Sequence, residues 1–161
     1  MKELLLIVFL ASVLATAEGA AKWVEASTTR SLPGQGDVPA KTYFEDSFGR
    51  KKGKFRANYE SFLEKKDFVE GEFLVARFRY VYAEPNTSDS PLYPTHDESI
   101  TTVLLDCKNH FSGTISITYE LKGKVVKRDE TSDRDILMMQ YSGPSTVADL
   151  CAFAKKQRAV P

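Results

Sequence analysis

The sequence predicts an α+β fold: a six- to seven-stranded antiparallel sheet with a C-terminal helix packed on it and disulfide-linked to a strand. Three observations predict it. Apolar and polar residues alternate with period two through most of Trp23 to about Gln140, as half-buried strands require. Only residues 145–157 switch to helical spacing. The chain's two cysteines divide between these patterns, Cys107 on a strand and Cys151 on the helix.

The N-terminus sets the compartment. Met1-Lys2-Glu3 precedes the apolar run Leu4–Leu14 and the A-x-A site Ala15-Thr16-Ala17, the three-part pattern of a secretory signal peptide. The run falls short of the roughly 20 apolar residues that a membrane-spanning helix needs. Residues 1–17 are therefore expected to be removed, with cleavage as late as residue 21, leaving a single domain over residues 22–157. The protein is expected to be exported, periplasmic or secreted, with no integral membrane segment in the mature chain. A bacterial lipid anchor needs a cysteine at the cleavage point, and residues 15–25 contain none. In an oxidising compartment an even cysteine pair forms a disulfide. Closing a loop of about 44 residues contributes roughly 4 kcal/mol in the chain-entropy model.

The strand candidates follow in order. Trp23–Arg30 and Lys41–Asp46 are short, separated by the Gly/Pro-rich loop Ser31–Pro39. Phe55–Leu63 alternates less cleanly. Glu72–Tyr82 sets Leu74, Ala76, Phe78, Tyr80 and Tyr82 against Arg77 and Arg79. A long, proline-punctuated polar loop, Glu84–Glu98, follows; loops of such length are often functional. Ser99–Lys108 carries Val103, Leu105 and Cys107 on one face. Phe111–Leu121 alternates most cleanly, and Lys122-Gly123-Lys124 turns it into Val125–Arg128, a hairpin. Ile136–Tyr141 reads as a last strand or a loop edge. Connections of a few residues favour antiparallel pairing over βαβ units.

The helix is signalled at both ends. Pro144 lies outside it, Ser145 or Thr146 can cap it, Asp149 follows three residues after Thr146, and lysines close it, in keeping with capping and the helix dipole. Val147, Leu150, Cys151 and Ala154 form one apolar stripe.

Chemistry-bearing motifs are scarce. The 22 basic and 22 acidic side chains give no net charge, which argues against a dedicated nucleic-acid or anionic-membrane binder. The chain has only two histidines. His96-Asp97-Glu98 is expected on a solvated loop rather than around a metal, and His110 in an exposed turn. No nucleophile elbow, P-loop, H-E-x-x-H or G-x-G-x-x-G occurs. No catalytic residues, metal site or cofactor are expected, and the chain reads as non-enzymatic.

Binding features stand out more. Gly49–Arg56 holds five cations in eight residues. Arg50, Lys51, Lys52 and Lys54 read either as a Gly-rich loop engaging sulfate or carboxylate groups or as a solvated hairpin turn. Arg77, Arg79 and Tyr93 are the second candidate group, because Tyr and Arg are enriched at interface hot spots. Asn86-Thr87-Ser88 matches the glycosylation sequon. A protein or sulfated-glycan ligand is the expected partner, and an exposed sheet edge leaves a homodimer open.

Trp23-Val24, Tyr43-Phe44-x-Asp46-Ser47, Ser99 leading to Asp106-Cys107, the Tyr119–Val126 hairpin with its glycine, and the terminal Ser145-x-x-x-x-Leu150-Cys151 follow one another in this order. Together they resemble the surface-adhesin protein E-like family of Gram-negative bacteria. The resemblance spans nearly all of residues 22–156. It implies an antiparallel sheet with a helix packed on it. It also implies an adhesin that contacts host extracellular-matrix or plasma proteins and can dimerise. Surface display in the family's best-known member depends on a lipid-bearing cysteine, with no counterpart in residues 15–25. The alternative expectation is a soluble periplasmic binding or inhibitory module that acts on an envelope or host-defence protein and inserts the 84–98 loop into its cleft.

Overall fold

A computed structural model describes residues 22–30, 39–58, 68–87 and 92–157. The signal peptide, most of the Ser31–Pro39 loop and the end of the Phe55–Leu63 candidate lie outside them. The described residues form eight strands and one helix. The strands are β1 (Trp23–Arg30), β2 (Ala40–Glu45), β3 (Gly49–Asn58), β4 (Phe68–Asn86), β5 (His96–Asp106), β6 (Phe111–Leu121), β7 (Lys124–Glu130) and β8 (Leu137–Gln140), and the helix is α1 (Thr146–Lys156).

The expected architecture is present, with two differences. Ile136–Tyr141 does contribute a strand, which brings the number of described strands to eight rather than six or seven. β8 also pairs parallel to β3, Ala57 opposite Met138, in a sheet whose other pairings are antiparallel. The parallel pair exists because β8 bridges two distant strands: its other edge pairs with β6, Ser112 opposite Met139. Burial of Ile136 and Met138, at 1% and 0% exposure, drives that placement.

β4 organises the rest. It is 19 residues long, pairs with β3 through residues 68–75 and with β2 through residues 78–82. β5 runs beside it from Leu74 to Asn86. Following the pairings from β4 through β3, β8, β6 and β5 leads back to β4, so one end of the sheet closes into a five-stranded ring. Phe55, Phe73, Leu104, Phe111, Ile136 and Met138 fill it. Gly113 lets β6 approach this core: a Cβ there would lie 2.7 Å from Met138 Sδ and 2.8 Å from Ile136 Cγ2.

The opposite face of β4 and β5 forms a second core, with Leu74, Ala76, Phe78, Tyr80, Val103 and Leu105 beneath α1. The helix contributes Leu150, Cys151 and Ala154, three members of the expected stripe. Ser145 caps it, its hydroxyl accepting from Ala148 N–H at 3.1 Å. Thr146 Oγ1 instead accepts from Tyr80 Oη at 2.8 Å, tying the first turn to the sheet. Cys107, the residue after β5, bonds to Cys151 with the two Cα atoms 5.6 Å apart. At the β6–β7 hairpin Lys122 and Gly123 both have positive φ, 52° and 72°, as a two-residue type I′ turn requires.

Candidate binding surface

Alternation along β4 creates a surface that the sequence alone does not assemble. Its even-numbered residues from Leu74 to Tyr82 enter the core under the helix, so Arg77 and Arg79 emerge on the other face. Past the ring, that face is left uncovered by α1. Cross-strand register brings β1 and β2 alongside: Trp23 lies opposite Glu45, and Tyr43 lies between Glu25 and Arg79. On the other flank, Arg77 faces Thr102 and Arg79 faces Ile100.

Each arginine is held by a carboxylate. Arg77 Nη1 lies 2.8 Å from Glu45 Oε1, and Arg79 Nη2 lies 2.6 Å from Glu98 Oε2. Both acids are largely buried, with side chains 6% and 16% exposed. The guanidinium carbons sit 5.6 and 5.9 Å from the Trp23 ring centroid, and that of Arg79 also lies 5.8 Å from the Tyr43 ring. Planar guanidinium groups stack on aromatic faces in this way. The result is a fixed lattice of aromatic and charged groups, offering donors in set directions without further ordering of long side chains. That is the physical content of a preorganised contact surface.

The other sequence candidates lie elsewhere. Tyr93 stacks edge-on against Tyr119, ring centroids 6.4 Å apart, on the helix side of the sheet, away from Arg77 and Arg79. Arg50, Lys51, Lys52 and Lys54 sit on neither a Gly-rich loop nor a hairpin turn, because Gly49–Asn58 is strand β3. Its alternation puts Arg50, Lys52, Lys54 and Arg56 on one exposed face and Lys51 on the other. β4 supplies the compensating charge: Arg50 pairs with Glu72 at 3.2 Å and Lys54 with Glu70 at 3.9 Å. Lys51 pairs with Asp133 at 2.6 Å. So polar a segment extends as a strand because its backbone pairs with β4 through residues 49–56 and Phe55 is buried in the ring core; exposed ion pairs add little.

Trp23, Tyr43, Glu45 and Glu98 were not singled out as site residues by the sequence. Period-two parity groups Tyr43 with Glu45 but does not identify the strand that lies beside them.

His96 is the sharpest local difference. Expected on a solvated loop, it is 1% exposed at the start of β5. Its ring meets Tyr82 and Tyr119 edge-on, at 5.1 and 4.9 Å, and Nδ1–H donates to the Pro94 carbonyl at 2.7 Å. Burial raises the Tyr82 hydroxyl pKa and pushes that of Tyr119 up to about 12, with Asp129 adding to the latter. Both phenols are neutral packing groups. Asn86 is only 2% exposed, so the sequon asparagine is not presented to solvent. His110 is exposed in the β5–β6 turn as expected, stacked on Tyr141.

Among the described residues, no three His, Cys, Asp or Glu side chains are grouped to hold a metal ion, and no helix is long and apolar enough to cross a membrane. Compared with known proteins, the chain matches no family model, no curated protein and no solved structure.

Proposed function

We propose that this chain is an exported, non-enzymatic binding protein that grips a protein partner through the sheet face that α1 leaves uncovered. The observation that carries this reading is the Arg77/Arg79 pair, each arginine locked by a carboxylate and framed by Trp23 and Tyr43. The signal-peptide pattern and the Cys107–Cys151 disulfide support export. The resemblance to the surface-adhesin protein E-like family supports host extracellular-matrix or plasma proteins as partners.

The test is a binding screen of the mature chain against such proteins, repeated with Arg79→Gln and Tyr43→Ser. Truncating hot-spot residues costs about 2 kcal/mol or more, so each variant should bind about 30-fold more weakly. Unchanged affinity in both variants would remove this face from consideration. Salt-sensitive heparin binding lost on charge reversal of Lys52 and Lys54 would point to a sulfated glycan on β3 instead.

A second reading, the periplasmic inhibitory module, is favoured by the β4–β5 connection. Its C-terminal end is pinned by Tyr93 on Tyr119 and by Lys127 Nζ donating to the Leu92 carbonyl at 2.8 Å, while Leu92 stays 66% exposed. Deleting residues 87–91 should abolish complex formation with little change in melting temperature under this reading. Equal loss of both would overturn it.

A further inference from the structure

The outer wall of the five-stranded ring carries a second surface, on the helix side of the sheet. Phe55 and Met138 point into the ring core, so their neighbours Arg56 and Leu137 point out. Register aligns the outward residues into one patch: Phe68 opposite Arg56, Arg56 opposite Leu137, and Asn58 opposite Met139. Phe68, Leu137 and Met139 are 46%, 41% and 45% exposed. Beside them Lys54 Nζ lies 5.2 Å over the Phe68 ring, and Lys52 and Arg56 are exposed on the same face of β3. Among the described residues neither Lys52 nor Arg56 has an ion-pair partner.

We propose that this wall docks reversibly on a bilayer surface containing anionic phospholipid. On this face Glu72 and Glu70 offset Arg50 and Lys54, which leaves Lys52 and Arg56 as a local excess of two positive charges beside Phe68, Leu137 and Met139 in a chain with no net charge. The patch thereby complements a surface that is negative at the headgroups and apolar beneath. Phe68, Leu137 and Met139 would enter the headgroup–acyl boundary while the lysine and arginine heads stay at phosphate level. A sulfated glycan would satisfy the cations but offers no apolar layer for the other three residues. The proposal is independent of the Arg77/Arg79 face, which lies on the other side of the sheet.

The experiment is co-sedimentation of the mature, disulfide-bonded chain with vesicles rich in phosphatidylglycerol and with pure phosphatidylcholine vesicles. Binding is expected to the anionic vesicles, weakened by salt, and much less to the neutral ones. A cation near an anionic surface contributes about 1 kcal/mol, so Lys52→Gln and Arg56→Gln should each lower the partition coefficient about five-fold. Leu137→Ser/Met139→Ser should lower it independently of salt, and Lys41→Gln, an exposed position on the other side of the sheet, should leave it unchanged. All these positions are exposed, and far-UV circular dichroism checks that each variant is folded. Failure to co-sediment, binding to heparin but not to vesicles, or equal partitioning of all variants would overturn the proposal.

Discussion

Arg77 and Glu45 meet across β4 and β2 with Nη1 2.8 Å from Oε1, the carboxylate side chain only 6% exposed while the arginine remains 42% exposed. The acid is thus committed to the fold, and the cation both neutralises it and faces outward. Removing one partner of a buried pair costs more than the pair contributes, because a charge is left unsolvated. Arg77→Gln should therefore destabilise the protein by about 2 kcal/mol, discounted for the arginine's exposure. Glu45→Gln/Arg77→Gln should recover part of that loss. Urea denaturation of both variants measures it, and equal stability of Arg77→Gln and wild type would mean that the pair is energetically idle.

The disulfide ties α1 to the end of β5, with 44 residues between its cysteines. Replacing both cysteines by serine should cost roughly 4 kcal/mol by the loop-entropy model and lower the melting temperature by on the order of 10–20 °C. Reduction of the wild-type protein should reproduce the loss. An unchanged melting temperature would contradict the stabilising role of the bond.

Gly113 on β6 lies directly against the ring core. The hypothetical Cβ clashes with Met138 and Ile136, and Leu137 O lies 3.3 Å away on the backbone. Gly113→Ala should lower stability by about 1–3 kcal/mol, the usual cost of overpacking. Trimming the flexible neighbour with Met138→Ala should relieve part of the clash, so the double variant should lose less than the two single losses added. Strict additivity in denaturant melts would argue against contact at this point.

Tyr119 gives the alkaline limb of the stability profile a specific owner. Its folded pKa, raised by burial to about 12, exceeds the ordinary value of about 10. The folded state then holds a proton that the unfolded state has released. Its contribution is complete below pH 10 and is lost as pH rises from 10 towards 12. Tyr82 and Tyr141, also raised by burial, add to the same limb. Unfolding free energy measured across this range should fall less steeply for Tyr119→Phe than for wild type. Identical slopes would assign the limb to other groups.

Much of the fold was legible because its signals are short-range. Ser145 caps α1, the Lys122-Gly123 turn makes its hairpin, and Phe111–Leu121 is a strand with the boundaries its alternation indicates. β3 was not legible as a strand from residue 49. Five cations and two glycines leave Phe55 as its one strong apolar mark, and the strands that it pairs with, β4 and β8, are distant in sequence. His96 was missed for a related reason. Its neighbours Asp97 and Glu98 are polar, whereas the tyrosines that bury it come from β4 and β6.

The candidate surface was half legible. Arg77 and Arg79 were visible as alternate residues on a strand, and period two places them together. Glu45, Glu98, Trp23 and Tyr43 join them only through strand pairing, and Tyr93 is carried to the other side of the sheet.

By itself the sequence determined the strand-rich class, the C-terminal helix and the cysteine pairing, since periodicity, caps and cysteine number act within one segment or need no partner. Tertiary structure alone decided the ring closure, the parallel β3–β8 pair and the composition of each exposed face. Those depend on which distant strands share an edge. Register, set by the packing of both cores together, selects that edge.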